Sequence, residues 1–311
     1  MKTYIHSLIG TLLLSLLMSS CGEDTFVTPV DIGSFLSTDN EIVITSFIAP
    51  QNDLIEVEIS KTFPLSVVLN NPKIPEEDFL IKDASVTLKN SKNEDITVPY
   101  NPTSKKYVVA SKDFPILAGE TYTIEVTALA KTATASTTIP GNASTELEKP
   151  IIKKEEARFG SSTYLSAEIS WKDIASEENF YHVIAIANED VEDIDNSFEI
   201  NLTQFDFNHH LFYEEDDFGI EDDTREYISD AGRDGAFLKA KGITGNTREV
   251  KKVTVKILTV DKNYFEYHQA IKKQEFFEDE IFVEPITIPS NVNGGKGVFS
   301  SYQITEEVFT F

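Results

Sequence analysis

Residues 121–127 read Thr121-Tyr122-Thr123-Ile124-Glu125-Val126-Thr127, with polar and apolar side chains in unbroken alternation. Successive side chains of a β-strand point to opposite faces of a sheet, so this alternation predicts a strand with one buried and one solvated face. No helical spacing of apolar residues competes with it here. The stretch therefore predicts sheets that pack against each other on one face only.

The same two-residue period extends on both sides of this strand. Short alternating strands separated by turns are typical of a β-sandwich of the immunoglobulin type. We predict a mainly β fold, whose first domain, residues 41–140, is an immunoglobulin- or fibronectin-like β-sandwich. The predicted strands of this domain are 41–48, 54–61, 84–90, 95–100, 106–110, 120–129 and 132–139.

An aromatic residue at the start of the quoted strand is a second indication of a sandwich. The sequence Leu117-Ala118-Gly119-Glu120-Thr121-Tyr122 resembles the tyrosine corner of fibronectin type III-like domains. In that corner, a buried tyrosine hydroxyl bonds to the backbone upstream and fixes a crossover between sheets. We therefore predict a structural corner at Tyr122; the alternative is an ordinary strand tyrosine.

A second β-rich domain is predicted for residues 150–311, after a linker at 141–150. Two short apolar segments close the chain, 298–304 and 308–311, and Glu306-Glu307 separates them. We therefore predict two closing strands rather than one. Alternating or continuously apolar runs predict earlier strands of this domain at 165–171, 180–187 and 253–260.

One helix is predicted in the second domain, over about residues 263–277. Its apolar positions recur at the spacing of a single helical face. Asn263 with Glu266 has the spacing of a capping box, which marks a helix start. The residues of the predicted apolar face are Tyr264, Tyr267, His268 and Ile271.

The first 20 residues have the order of a secretory signal peptide, with Lys2 before an apolar run and small residues after it. The run is too short to span a bilayer, which needs about 20 apolar residues. The following sequence, Leu17-Met18-Ser19-Ser20-Cys21, resembles the lipobox of bacterial lipoproteins. We predict a signal peptide over 1–20, lipidation at Cys21 and a lipidated tether over 21–40. The alternative is a plain signal peptide with an incidental cysteine.

Charge and cysteine content exclude several partners and cross-links. The chain has 52 acidic and 27 basic residues, a net charge of −25, which argues against nucleic acid and anionic lipid headgroups as partners. Cys21 is the only cysteine, so no disulfide stabilises the mature chain. The most acidic stretches, 188–196, 214–217 and 221–223, flank predicted strands and are expected to be solvated loops.

Motifs for catalysis or cofactor binding are missing from the sequence. The chain has no Gly-x-Ser-x-Gly nucleophile elbow, and 294–297 lacks the spacing of a phosphate-binding loop. His209 and His210 would point to opposite faces of a strand, which is poor geometry for holding a metal. The stretch 214–223 lacks the order of a calcium loop. We predict no catalytic residue, no metal and no cofactor.

Several stretches, taken in their order along the chain, resemble one family. They are 119–126, 136–140, 228–230, 282–286 and 290–299. This order is similar to the Bacteroidota lipoproteins of domain-of-unknown-function family 4249, and the likeness covers nearly the whole mature chain. The resemblance implies no established activity, so no catalytic residue carries over. Residues 294–297 form either a binding loop or a tight turn before the final strands, and we favour the tight turn.

Glu23 and Asp24 follow the predicted lipidation site and resemble the acidic export tag of surface lipoproteins in Bacteroidota. Together with the family resemblance, they lead us to expect an outer-membrane lipoprotein that faces outward beside a TonB-dependent receptor. The alternative is a lipoprotein that faces the periplasm.

The predicted function is that of a non-enzymatic binding or interaction module in the cell envelope. It would contact the membrane through its lipid anchor. Two alternatives stay open: a glycan- or peptide-processing enzyme with an unrecognised site, and a structural adhesin subunit. A glycan-binding protein would cluster Trp or Tyr side chains on one exposed face, and the single Trp gives this little support.

Overall fold

The computed structural model describes residues 40–64, 67, 73–144, 146–156, 163–188, 197–200, 226–244, 250–276 and 286–311. Within these ranges the protein has sixteen strands and two helices, so the mainly β prediction is confirmed. Asn40–Phe63 and Lys73–Phe311 form one compact unit. Of the other unit, Met1–Asp39 and Pro64–Pro72, only Pro64 and Val67 are described.

The described residues of the first half of the chain form eight short strands and one four-residue helix. These elements are β1 (Ile42–Ile48), β2 (Leu54–Lys61), α1 (Glu76–Phe79), β3 (Ser85–Asn90), β4 (Asp95–Thr97), β5 (Tyr100–Asn101), β6 (Lys106–Ala110), β7 (Thr121–Ala128) and β8 (Lys131–Thr138). The second half adds β9 (Ile151–Glu156), β10 (Thr163–Lys172), β11 (Phe180–Asn188), β12 (Ser197–Ile200), β13 (Tyr227–Ser229), β14 (Phe237–Thr244), β15 (Lys252–Val260), α2 (Lys262–Phe276) and β16 (Lys296–Thr310).

The described strands form three sheets. The largest has nine strands in the order β12-β11-β15-β16-β1-β2-β6-β5, with β13 also paired to β11. The smaller sheets have the orders β4-β3-β7-β8 and β14-β10-β9. The nine-stranded sheet therefore contains strands from both predicted domains, and the predicted boundary at 141–150 stays a prediction.

The last strand, β16, joins the two halves of the chain. It pairs in parallel with β1, where Val43 faces Lys296, and antiparallel with β15, where Lys252 faces Thr310. The prediction of two closing strands is wrong, because β16 runs through Glu306-Glu307 as one element. The Glu306 carboxylate lies 3.0 Å from the ammonium group of Lys256 on the paired strand, so the charge is accommodated within the ladder.

Two cores lie on one face of the nine-stranded sheet. The first is closed by β4-β3-β7-β8 and includes Ile44 and Phe299 of the large sheet and Ile124 of the small one. The second is closed by β14-β10-β9 and includes Trp171 packed edge-on against Tyr181. Both are sandwiches built on strand alternation, with apolar side chains facing inward from each sheet.

Helix α2 covers part of the opposite face of the large sheet. Tyr264 and Phe265 of the helix pack on Leu258 and Val260 of β15. The helix starts at Lys262, because Asp261 caps it: its Oδ1 accepts the Tyr264 N–H at 2.8 Å. The predicted helix is therefore present, but the predicted Asn263 cap is wrong.

Candidate functional site

An open groove of about 620 Å³ lies on the helix face of the large sheet. Helix α2 contacts β11, β13 and β16, and the groove lies over β1, β2 and β6. We call it the helix-side groove. The lining side chains used below are Phe47, Asn52, Asp53, Leu54, Glu56, Glu58, Lys106 and Tyr302.

Strand alternation decides which side chains enter the groove. Ile55, Val57 and Ile59 of β2 are buried in the first sandwich core. Glu56 and Glu58 lie between them in sequence and therefore point to the opposite face, where the groove is. The same rule places Lys106 there, because the next residue of β6, Tyr107, is in the core.

Aromatic rings form the boundary between the groove and the helix. Phe47 of β1 packs edge-on against Tyr264 at 5.2 Å and lies 4.9 Å from the His268 ring, both measured between centroids. Tyr302 of β16 packs edge-on against Tyr264 at 5.8 Å. The Asn52 amide donates to the Tyr302 hydroxyl at 3.0 Å, which ties the β1–β2 loop to this aromatic wall.

The ionisable side chains of the groove are mostly acidic. Lys106 Nζ lies 3.0 Å from Glu56 Oε2, and both side chains are partly exposed. Asp53 and Glu58 supply two more carboxylates. Next to the groove, burial and the Glu58 carboxylate raise the pKa of Tyr267, while its hydrogen bond with the Thr45 side chain acts in the opposite direction. Glu58 therefore acts electrostatically on the aromatic wall.

Four rings form a histidine–tyrosine cluster beneath α2: His182, Tyr227, Tyr264 and His268. The His182 ring stacks on Tyr227 at 4.5 Å, and His182 Nδ1 lies 2.9 Å from the Tyr264 hydroxyl. The pKa of His182 is lowered to about 3, mainly by burial and to a smaller extent by the charges of His268 and Lys272. Burial and Lys272 lower that of His268 to about 4. Both histidines are therefore neutral near pH 7, far from the range in which a general acid or base works.

Asp261 joins three elements through hydrogen bonds. Besides capping α2, its Oδ1 accepts from the Ser300 hydroxyl and its Oδ2 from the Thr137 hydroxyl. The Thr137 and Ser301 hydroxyl oxygens also lie 2.8 Å apart, where Thr137 can accept the Ser301 proton. These three hydroxyl residues are buried. The network holds β8, β16 and the start of α2 together.

Three carboxylates of the described residues come close enough to hold a metal ion. One oxygen each of Asp173, Asp230 and Asp234 lies within 4.8 Å of the others. Oxygen ligands of this kind suit calcium or magnesium. Asp173 already accepts hydrogen bonds from the Tyr181 hydroxyl at 2.7 Å and the Gly235 N–H at 2.6 Å.

The other two carboxylates of this group are hydrogen-bonded as well. Asp230 Oδ2 accepts the Asn179 N–H at 3.1 Å, and Asp234 Oδ1 accepts the Ser176 N–H at 2.7 Å. Burial raises the pKa of Asp230, and the nearby Asp173 and Asp234 charges act in the same direction. The hydrogen bond from Asn179 opposes this shift. The three aspartates therefore connect the loops that precede β11 and β14.

The tyrosine predicted as a corner is fully buried. The Tyr122 hydroxyl donates to the Pro115 carbonyl at 2.9 Å and accepts the Leu117 N–H at 2.9 Å. Tyr107 makes a matching pair of bonds, donating to the Ile81 carbonyl at 2.9 Å and accepting the Ala84 N–H at 2.8 Å. No turn motif in the sequence pointed to this second arrangement.

Other predicted residues lie outside the described part of the chain. They are Cys21, Glu23, Asp24, His209, His210 and the acidic stretches 189–196, 214–217 and 221–223. The glycine-rich residues are described and pack closely: a Cβ on Gly294 would lie 2.5 Å from the Thr132 carbonyl oxygen, and one on Gly297 would lie 2.1 Å from that of Ile44. Their glycines therefore allow a tight turn against β1 and β8.

The groove itself was missed by sequence reasoning. The available signal was Phe47, an aromatic side chain at a position of β1 that alternation assigns to the face away from the sandwich core. Phe47 instead packs against α2, a neighbour that lies more than 200 residues away in the sequence. None of the helices in the described ranges is long and apolar enough to cross a membrane.

The architecture defines the class: a mainly β protein in which a nine-stranded sheet carries two small sheets on one face and a helix beside an open groove on the other. The chain belongs to the family described as Domain of unknown function (DUF4249), whose family model matches residues 27–307. The family predicted from the order of its motifs is thereby confirmed. No curated protein matches the chain.

Proposed function

We propose that this protein is a non-enzymatic binding module of the cell envelope and that the helix-side groove is its binding site. The observation that carries the proposal is the groove itself. It combines aromatic rings, an amide and charged side chains on an open sheet face.

The chemistry around the groove favours binding over turnover. His182 and His268 are the histidines of the described residues, and their low pKa values keep them uncharged near pH 7. Glu56, a groove carboxylate, pairs with Lys106. These features support a binding module over the glycan- or peptide-processing alternative.

The cellular setting belongs to the same proposal. Lipidation at Cys21 would anchor the module in the outer membrane, and Glu23 and Asp24 would direct it to the outer surface. There it would act beside a TonB-dependent outer-membrane receptor. The supports are the lipobox-like sequence, the acidic pair after it and the family resemblance, and a periplasm-facing lipoprotein is the rival.

Site-specific photocrosslinking in intact cells tests the proposed site. A photoreactive residue at exposed Gln51, on the rim of the groove, should give one dominant adduct. The same residue at exposed Glu125, on the outer face of the small sheet, is the control. Mass spectrometry of the adduct identifies the partner and tests the receptor assignment. Equal crosslinking at both positions, or none at Gln51, would contradict a binding role for the groove.

A further inference from the structure

We infer that the helix-side groove receives a basic segment of a partner protein, a loop or tail that carries lysine or arginine. This inference rests on the proposed function and adds the chemistry of the occupant. It depends on three features of the groove: its unbalanced charge, its aromatic rings and its open shape.

The excess of negative charge in the groove favours a cationic occupant. Its charged side chains are Asp53, Glu56, Glu58 and Lys106, three acids and one base. Lys106 pairs with Glu56 at 3.0 Å, and within the described residues no basic side chain lies at ion-pair distance from Asp53 or Glu58. In the described part of the chain, two carboxylates therefore face the groove without a cationic partner. The net charge of −25 adds a long-range attraction for basic segments.

The aromatic side chains of the groove suit the same occupant. Phe47 and Tyr302 line it. A lysine or arginine side chain can lay its aliphatic part along apolar rings while its charged end reaches a carboxylate. A cation within about 6 Å of a ring centroid is also attracted by the ring itself. Glu58 lines the groove together with these two rings, so rings and a carboxylate face the same space.

The shape of the groove favours a protein segment over a small molecule. Small-molecule sites usually enclose most of the ligand surface, whereas this groove lies open along a sheet face. Leu54 at its rim is 47% exposed, and Gln51 and Asp53 beside it are also exposed. An exposed apolar side chain next to polar neighbours resembles the edge of a protein interface.

The test uses the full chain, purified from membranes in detergent, and a fluorescein-labelled peptide of alternating lysine and glycine. Binding of the peptide is measured by fluorescence anisotropy at an ionic strength of about 0.15 M, because salt at this concentration screens unspecific attraction between charges. The probe should bind, and a peptide with glutamate in place of lysine should not. The double variant Asp53→Asn, Glu58→Gln should weaken binding of the lysine peptide by about tenfold or more.

The matched control is the double variant Asp95→Asn, Glu125→Gln, which removes the same charge from the exposed outer face of the small sheet. Its affinity should stay within about twofold of the unchanged chain, a change too small to reflect a lost contact. Equal weakening in both double variants would mean attraction by overall charge only and would overturn the inference. Competition by free arginine at the affinity of the peptide would overturn the choice of a protein segment.

The Gln51 crosslink separates this inference from the proposed function. A partner crosslinked at Gln51 that carries no basic segment at the contact, with no binding of the lysine peptide, would refute the inference and leave the binding module standing. Absence of both the crosslink and peptide binding would refute both.

Discussion

The imidazole of His268 lies parallel to the ring of Tyr227, with 6° between their planes and 5.7 Å between their centroids. The ring centroids of Phe47 and Tyr264 lie 4.9 and 4.3 Å from the centroid of the same imidazole. Its Nε2 atom is buried and has no hydrogen-bond partner among the described residues. A charged imidazole would therefore be poorly solvated between the helix and the sheet.

Stability should fall with acidification because of this burial. The folded pKa values of about 4 for His268 and about 3 for His182 lie below the value of about 6.5 expected in the unfolded chain. Between pH 6.5 and about 4 the unfolded chain binds more protons, so the free energy of unfolding decreases as pH falls. By pH 4, each histidine should have lowered the free energy of unfolding by about 2–3 kcal/mol.

Urea unfolding at a series of pH values measures this dependence. His268→Phe keeps a ring in the cluster and removes the titrating group, so its unfolding free energy should depend less on pH between 6.5 and 5. Carboxylates titrate mainly below this window and are common to both proteins. Identical slopes for the variant and the unchanged chain would rule out His268 as the source.

Tyr122→Phe should destabilise the first sandwich core. The substitution leaves the Pro115 carbonyl and the Leu117 N–H without their partner. The expected cost is about 1–2 kcal/mol in the free energy of unfolding, the range for one or two partly buried hydrogen bonds. Tyr100→Phe is the control, because the Tyr100 ring packs on Tyr107 and no hydroxyl bond of Tyr100 is present among the described residues. A similar cost for both variants would contradict a structural corner at Tyr122.

Asp261→Ala should be among the more damaging substitutions of an acidic residue. It removes the cap of α2 and leaves the hydroxyls of Thr137 and Ser300 without their acceptor. Loss of the cap costs about 1 kcal/mol, and each hydrogen bond to a charged group costs about 1.5–3 kcal/mol. Thermal and urea unfolding should show a loss of at least about 3 kcal/mol, against about 0.5 kcal/mol or less for Asp95→Ala on the surface. Equal losses of unfolding free energy in the two variants would mean that the hydrogen bonds of Asp261 add no stability beyond that of a surface aspartate.

Cys21→Ser should release the protein from membranes into the soluble fraction, because Cys21 is the only cysteine available for acylation. Fractionation of cells that express the variant measures this. Membrane association that survives the substitution would count against the lipid anchor.

Protease added to intact cells tests the outward orientation. The protein should be digested while a periplasmic control protein survives. Changing Glu23 and Asp24 to alanine should make it resistant, since the acidic pair is the proposed export tag. Resistance of the unchanged protein in intact cells, with digestion only after lysis, would favour the periplasm-facing rival.

Local sequence patterns predicted the strands well because alternation is a local property. The run 121–127 lies within β7, and 253–260 lies within β15. The closing strands were predicted wrongly because two adjacent glutamates suggested a break, whereas the pairing of Glu306 with Lys256 keeps the strand continuous. That pairing depends on a neighbouring strand, which periodicity does not reveal.

The groove likewise depends on residues that lie far apart in the sequence. Asn52 and Tyr302 are 250 positions apart and meet through a hydrogen bond. Their proximity follows from the parallel pairing of β1 with β16, and no motif in either segment predicts that partner. By contrast, the hydrogen bond between Leu117 and Tyr122 spans only five positions, so a local motif is enough to suggest it.

The β1–β16 ladder also limits when the large sheet can form. The centre of the large sheet joins the first described strand to the last, so it cannot close until residues 296–310 have been made. Contacts of such long sequence separation form slowly. Until then β1 and β15 each present an unpaired edge of the kind that joins other chains. A chain in which β16 has not yet paired is therefore more prone to aggregation than the finished fold.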